Sequence, residues 1–343
     1  MTSMDSPIKH RGTTSERQIR QNRELRTVNT NRIALVLGAT GSIGREVVRA
    51  LLARGWRVRA LHRSPETAAS CFSGLPVEWL QGDASKAANV IQAARDASII
   101  FHGVNPPGYQ NWRKLGIPML SNSIAAAKSV DARLIFPGNL YNFGYDAGPV
   151  VYEHSQQGPI TVKGAVRVEM ERMLEAAAGD NVRSLVLRAG DFFGPHARSS
   201  WLSGAMVKSR RPVKSVTYPG DPQIGHAWAY IPDLAETVAQ LAELEATLPD
   251  FDVLNFGGHW VDPGVEMARA VCQAVGNSSL SIRPLPWALL RFAAPFSGFF
   301  REIIEIQYLW RIPMRLDNSK LVALIGQEPH TPFGEAVRKS LEL

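Results

Sequence analysis

"RIALVLGATGSIGREVVRALLARGWRVRALHRS" runs from Arg32 to Ser64, and the order of its parts decides the fold. The run "ALVL" (34–37) is apolar at every position, as expected of a parallel strand covered on both faces. Ile43, Val47, Val48, Leu51 and Leu52 are spaced to line one face of a helix, Gly55 closes that helix, and Trp56 to Leu61 extends again. Strand, glycine turn, helix and second strand in this order make one βαβ unit.

Working outward, the alternation repeats. "VEWLQGD" (77–83) reads as a third strand, "ANVIQAARDA" as a helix, "SIIFHGV" as a fourth strand, "GIPMLSNSIAAAKSV" as a helix and "ARLIFPGN" as a fifth strand. "VRVEMERMLEAAAG" reads as a long helix and "VRSLVLRAGDFFG" as the strand after it. Strands separated by single helices predict an α/β fold, a doubly wound parallel sheet with right-handed crossovers, whose ligand lies at the carboxyl ends of the strands. After about Gly194 the rhythm loosens into proline- and aromatic-rich segments. The expected organisation is a basic tail over 1–31, a nucleotide-binding core over 32–194 and a smaller substrate lobe over 195–343, interleaved with the last strands and helices of the core.

Within "GATGSIG", Gly38, Gly41 and Gly44 keep a Gly-x-x-Gly-x-x-Gly spacing between a strand and a helix. Glycines there let the backbone approach a pyrophosphate, which the unpaired N–H groups and partial positive charge of the helix N-terminus then hold. Thr40, Ser42 and Ile43 belong to the same cofactor-binding turn. An acidic side chain at the end of the second strand normally meets a free ribose 2′-hydroxyl. This chain has "ALHRSP" instead, and Arg63, helped by His62 or Ser64, suits the 2′-phosphate of NADP, so NADP is expected ahead of NAD. Asp83 is placed to approach the adenine, and Gly103 and Val104 to flank the nucleotide.

The chain has 343 residues, 45% of them hydrophobic, ample for a packed core. Cys71 and Cys272 stand alone in their halves, which argues against a disulfide scaffold and a zinc site. The most apolar stretch, Pro284 to Phe300, is interrupted by Pro286, Arg291 and Pro295 and falls short of a membrane span, so a soluble, cytoplasmic protein is expected. Its Trp, Phe and Arg also suit peripheral contact with a membrane interface. The formal charge is +7. Residues 1–32 carry seven Lys/Arg against three acids, so most of the excess lies in a polar tail expected to be disordered. No aromatic-interleaved basic stripe accompanies it, and no nucleic-acid partner is expected.

With these residues in hand, the chain resembles the short-chain dehydrogenase/reductase superfamily, in particular its extended and atypical branches, which include NAD(P)-dependent epimerases and dehydratases. The resemblance runs from about Ile33 to the C-terminus and rests on "GATGSIG", "QGD", "IIFHGV", "LRAGDFFGP", "HAWAYIPDLAETV" and "RLDNSKLVALIGQEPHTPFGEAV". It implies a Rossmann fold, a small-molecule substrate of carbonyl, hydroxyl or sugar type, and a Tyr-x-x-x-Lys pair on the long helix.

That pair is missing. Aligned on Glu171 and "LRAGDFFGP", the tyrosine position falls on Lys163 and the lysine position on Arg167, within "TVKGAVRVEME" (161–171). The assisting serine position falls on Asn139, with Tyr141 two residues later. Arg167 is always protonated and can hold ribose hydroxyls but cannot act as an acid or base. Lys163, beside that guanidinium, could lose a proton more easily than an ordinary lysine and stand in for the tyrosine. It could equally contact the cofactor or simply cover apolar neighbours. Asn139 can donate to a substrate oxygen but not move a proton. Tyr109, Tyr145, Tyr152 and Tyr230 are looser candidates, and His226 with Tyr230 is expected to shape the substrate side. The leading expectation is an NAD(P)-dependent oxidoreductase or epimerase/dehydratase-like enzyme with Lys163, Asn139 and Tyr141 at its centre. The alternative is a catalytically silent NADP-sensing regulatory protein. The aromatic segment from Phe296 to Trp310 could be a homodimer contact, a pocket lid or core.

Overall fold

The computed structural model describes residues 32–106, 112–207 and 213–341; the basic tail (1–31) and Tyr109 lie outside the described residues. The opening βαβ unit is β1 (Ile33–Leu37), α1 (Ser42–Ala53) and β2 (Arg57–His62). Every residue of β1 is buried, which is why its sequence does not alternate. The chain continues through α2 (Pro65–Ser70), β3 (Val77–Gln81), α3 (Ala87–Ala93), β4 (Ile99–His102), α4 (Trp112–Val130), β5 (Arg133–Gly138), a short β6 (Val150–Val151), α5 (Val162–Ala178) and β7 (Arg183–Arg188).

The parallel sheet has seven strands in the order β11-β7-β5-β4-β1-β2-β3, where β11 (Phe251–Asn255) follows β8 (Asp191–Phe193), β9 (Ser215–Tyr218), β10 (His226–Tyr230) and α6 (Ile231–Glu243). Strand order reverses between β1 and β4, so a crevice opens outside their carboxyl ends. One face carries α1 and α6, bound to each other by Arg54 Nη1 and Nε on Glu243 and Glu236. α3, α4 and α5 lie on the other.

Two boundaries differ from the sequence expectation. The strand expected over 182–194 is two: β7 ends at Arg188, and β8 leaves the large sheet to pair with β10. Gly190 lies at the break, where a Cβ would come within 2.3 Å of the Ala227 carbonyl oxygen, so the crossing needs a residue without a side chain. The long helix begins four residues before 166, because Thr161 Oγ accepts the Gly164 N–H at 2.9 Å and caps it there. Lys163 therefore sits in the first turn. β11, at the sheet edge, went unrecognised in the looser C-terminal pattern.

The remaining chain adds β12 (His259–Val261), which completes a three-stranded sheet with β10 and β8. After it come α7 (Glu266–Ala274), β13 (Ser281–Pro284), α8 (Trp287–Ala293), α9 (Gly298–Glu305), β14 (Arg315–Leu316), α10 (Ser319–Ile325) and α11 (Phe333–Ser340). The aromatic segment splits: Tyr308, Leu309 and Trp310 are core, whereas Phe296 is 86% exposed. Among the described residues no helix is long and apolar enough to cross a membrane, and no cluster of His, Cys, Asp or Glu is arranged to hold a metal.

Candidate active site

The glycine turn gives its three glycines different tasks. Gly38 has φ +82°, and a Cβ on it would lie 2.5 Å from the Gly103 carbonyl oxygen; a Cβ on Gly44 would lie 2.2 Å from the Gly38 carbonyl oxygen. Both are needed by the chain itself, to bring the ends of β1 and β4 and the start of α1 together. Gly41 is exposed, has an ordinary φ of −73°, and its added Cβ would meet only the Gly38 carbonyl oxygen at 3.2 Å. A side chain there needs the Gly38 carbonyl to shift by only a few tenths of an ångström, against a far closer approach at Gly38 or Gly44. A cradle that a Cβ at Gly41 would fill, beside a twelve-residue helix whose N-terminus has no side-chain cap, fits the pyrophosphate of a dinucleotide. Thr40 is exposed and Ser42 Oγ donates to the His196 carbonyl oxygen at 3.3 Å; Ile43 is half-buried at the base of α1.

At the ends of β2 and β3, Arg63 is exposed and its charge reaches Asp83. The Ser85 N–H, donated to Asp83 at 2.9 Å, holds that carboxyl below its usual range, and the charges of Arg63 and Lys86 act in the same direction. Gly103 follows β4 with its N–H on the Leu37 carbonyl oxygen at 2.8 Å, and Val104 is half-buried beside it. These positions form one continuous edge along the carboxyl ends of β3, β2, β1 and β4.

Asn139 follows β5 on the same edge. Its Oδ1 accepts the Tyr141 N–H at 2.9 Å, so its amide nitrogen is left as the donor; that nitrogen is not among the sealed atoms and makes no internal hydrogen bond. Asn139 and Tyr141 line a small recess of about 40 Å³ together with Asp191, His226, Phe192 and Met314. Across it His226 Nε2 lies 2.8 Å from Asp191 Oδ2, with both side chains largely buried. The His226 ring stacks on Trp310 at 3.9 Å between centroids and 7° between planes, which fixes its orientation. Its Nδ1 makes no hydrogen bond and remains accessible. A buried carboxylate on one ring nitrogen with the other free is an arrangement able to exchange a proton.

Lys163 is placed otherwise than the sequence implied. Its side chain is 6% exposed, and its Nζ lies 2.6 Å from Glu302 Oε2 and 3.0 Å from the Glu302 carbonyl oxygen on α9; its own N–H donates to Glu305 Oε1. The expected neighbour, Arg167, turns away from it. Arg167 Nη1 donates to the Pro137 carbonyl oxygen at 3.2 Å, Nη2 reaches Asn105 Oδ1 at 3.4 Å, and the guanidinium lies over Trp112 and Phe136. Lys163 therefore faces carboxylates rather than a guanidinium, and it does not line the recess. Tyr141 and Tyr308 border the region, and the Tyr308 hydroxyl donates to the Phe143 carbonyl oxygen at 2.9 Å. Tyr145 and Tyr152 are surface residues. Tyr230 is core, and burial, with Asp233 nearby, pushes its phenol up to about 12. Asp191 and Glu302, which decide the chemistry of the two candidate proton groups, were not singled out from the sequence. Each bonds a residue far away in the chain, so no local spacing announces it.

A family model described as NAD(P)H-binding matches residues 38–143, the stretch that carries the glycine cradle, Arg63, Asp83 and Asn139. A curated relative, sterol demethylase protein B of Methylococcus capsulatus, is 41% identical over 68 residues; the match spans 20% of this chain and 20% of the relative. Among solved structures, a UDP-galactose 4-epimerase superposes with a TM-score of 0.67 at 20% identity, covering 90% of this chain and 97% of that one. UDP-glucuronic acid 4-epimerase from Bacillus cereus, in complex with NAD, gives 0.70 at 16% identity over 90% and 97%. UDP-N-acetylglucosamine 4-epimerase from the same organism gives 0.69 at 15% over 90% and 98%. These likenesses show the fold, a Rossmann-like α/β architecture with its C-terminal lobe.

Proposed function

We propose that the protein is an NAD(P)-dependent enzyme of the oxidoreductase or epimerase/dehydratase type, acting at a carbon that carries a hydroxyl or carbonyl oxygen. The observation that carries this reading is the shared edge. The cradle around Gly41 and the recess holding Asn139 and His226 both lie at the carboxyl ends of the parallel strands. Gly38, Thr40, Gly41, Ser42, Ile43 and Gly44 would hold the pyrophosphate, Asp83 the adenine, and Gly103 and Val104 the nucleotide's inner flank. Arg63, the exposed cation at the adenosine end, favours NADP over NAD. Arg167 would keep the local potential positive toward the nicotinamide ribose.

A nicotinamide held at this edge would supply or accept hydride. This chain's residues handle the oxygen. In the reducing direction Asn139 Nδ2 would donate to the carbonyl oxygen of the substrate and polarise it. The oxygen gains its proton from His226 Nδ1–H, leaving a neutral ring whose Nε2–H stays on Asp191. Tyr141 borders the substrate, and Lys163 can reach it only after leaving Glu302. The lining of Leu309, Ile312, Met314 and Phe192, with one carboxylate and no lysine or arginine, suits an uncharged reacting end.

A second reading, a catalytically silent NADP sensor, draws on the Lys163–Glu302 pair, which occupies the ammonium where the resemblance would put a tyrosine. Turnover decides between them. The full-length protein is assayed with NADPH and NADH against ketones, aldehydes, secondary alcohols and nucleotide sugars. The account expects turnover that falls about 100-fold or more in His226→Asn and less in Lys163→Met, with cofactor affinity retained. Tight NADPH binding with no turnover above either variant favours the sensor.

A further inference from the structure

The surface formed by α8, the turn after it and α9 has a different character from the rest of the molecule. No residue of α8 is buried. Leu289, Phe292 and Phe296 are 67%, 79% and 86% exposed, and their spacing of three and four places them on one stripe where helix and following turn continue each other. Two phenylalanines and a leucine left in water forgo the gain that burial would bring. Ile160 and Val162, 48% and 72% exposed, lie at the start of α5 beside α9, because Lys163 is bonded to Glu302 and Glu305.

Charge on this surface is one-sided. Arg291 on α8 and Arg301 on α9 are exposed, and Arg291 spends one guanidinium nitrogen on Gln307. The acids of the same segment, Glu302 and Glu305, turn inward onto Lys163. What faces outward is therefore an apolar stripe with an exposed arginine on each of the two helices that flank it. A two-fold contact with a second copy would bring two surfaces of the same positive charge together, an arrangement that costs energy. Phosphate-bearing headgroups over an acyl layer match both features: aromatic and aliphatic side chains enter the headgroup boundary, and arginines pair with the phosphates while their stems cover apolar surface.

We propose that this face docks on an anionic lipid surface, as a peripheral contact and not a span. The contact would place α9, and with it the carboxylate that holds Lys163, against the lipid layer.

The test is sedimentation of the full-length protein with vesicles of equal parts phosphatidylglycerol and phosphatidylcholine, beside the variant Phe292→Ser/Phe296→Ser. Both proteins carry the same basic tail, so any difference belongs to the patch. The expected result is binding that weakens with salt and on neutral phosphatidylcholine vesicles, and that drops at least about tenfold in the variant while its thermal midpoint is kept. Equal binding by both proteins assigns the attraction to the tail and overturns the proposal, as does the absence of binding by the wild type. A wild-type dimer that the double substitution converts to a monomer in velocity sedimentation overturns it in favour of a contact between copies.

Discussion

Gly41 and Gly44 stand three residues apart in one motif, yet only Gly44 is required by the fold. The sequence showed the spacing; the ordinary φ and the single 3.2 Å contact of an added Cβ separate Gly41 from Gly44, where a Cβ would lie 2.2 Å from the Gly38 carbonyl oxygen. His102 makes a different residue-scale case. It is fully buried at the end of β4, its Nδ1–H donates to Ser123 Oγ at 2.8 Å while that hydroxyl donates to the Met119 carbonyl oxygen, and its Nε2 is buried without a hydrogen-bond partner. Burial first, and then the Arg167 guanidinium, push its imidazole down to about 3. The unfolded chain holds this histidine near 6.5 and takes up a proton that the folded chain refuses. Its contribution to stability is thus full above pH 6.5 and is lost as pH falls toward 3, by up to about 1.4 kcal/mol per pH unit. His102→Leu, which leaves Ser123 bonded to the Met119 carbonyl oxygen, should flatten that part of the acid limb in urea unfolding followed across pH; an unchanged slope refutes the assignment. The residues hardest to read from sequence were those whose meaning lies in a distant partner. His226 stood in a legible motif, but Asp191 lies 35 positions away, and Glu302 lies 139 positions from Lys163.

At the scale of elements, α5 is held to the sheet by an ion pair at its centre. Arg188 at the end of β7 meets Glu171 through two bonds, Nη2 to Oε2 at 2.6 Å and Nε to Oε1 at 3.1 Å, and Gln157 adds a third to the same carboxylate. Both partners are nearly sealed from water, at 2% and 5% side-chain exposure. Removing one partner leaves the other charged and buried, so Glu171→Ala should cost about 3 to 5 kcal/mol in denaturant unfolding. A loss below about 1 kcal/mol would mean that water reaches Arg188 and that the pair does not anchor the helix. Periodicity made α1 and α4 legible because each turns one apolar stripe to the sheet, whereas α5 is buried over more than half of its circumference. The start of α5 depended on the Thr161 cap, and the split of β7 from β8 depended on a backbone crossing at Gly190 that involves Ala227, so neither boundary could be read from the local pattern.

For the whole molecule, the parallel sheet followed from the alternation in the first half of the chain, and the reversal at β1 and β4 set the crevice. The C-terminal lobe was less legible because its short strands take partners from remote segments: β13 pairs with β9, β14 with β6, and β12 with β10. Its exposed apolar stripe was visible only as composition until the burial of each residue separated core from surface. The parts are joined by one claim, that a dinucleotide lies across the carboxyl ends of the strands with its pyrophosphate at Gly41 and its reactive end toward Asn139 and His226. Calorimetric titration of NADPH and NADH into the full-length protein and into Gly41→Val tests it most directly, because a side chain at Gly41 fills the cradle while asking little of the fold. The account predicts binding by the wild type, tighter for NADPH, and a loss of at least about tenfold in the variant with its thermal midpoint close to that of the wild type. Equal affinity in the two proteins, or no binding of either nucleotide by the wild type, would contradict it.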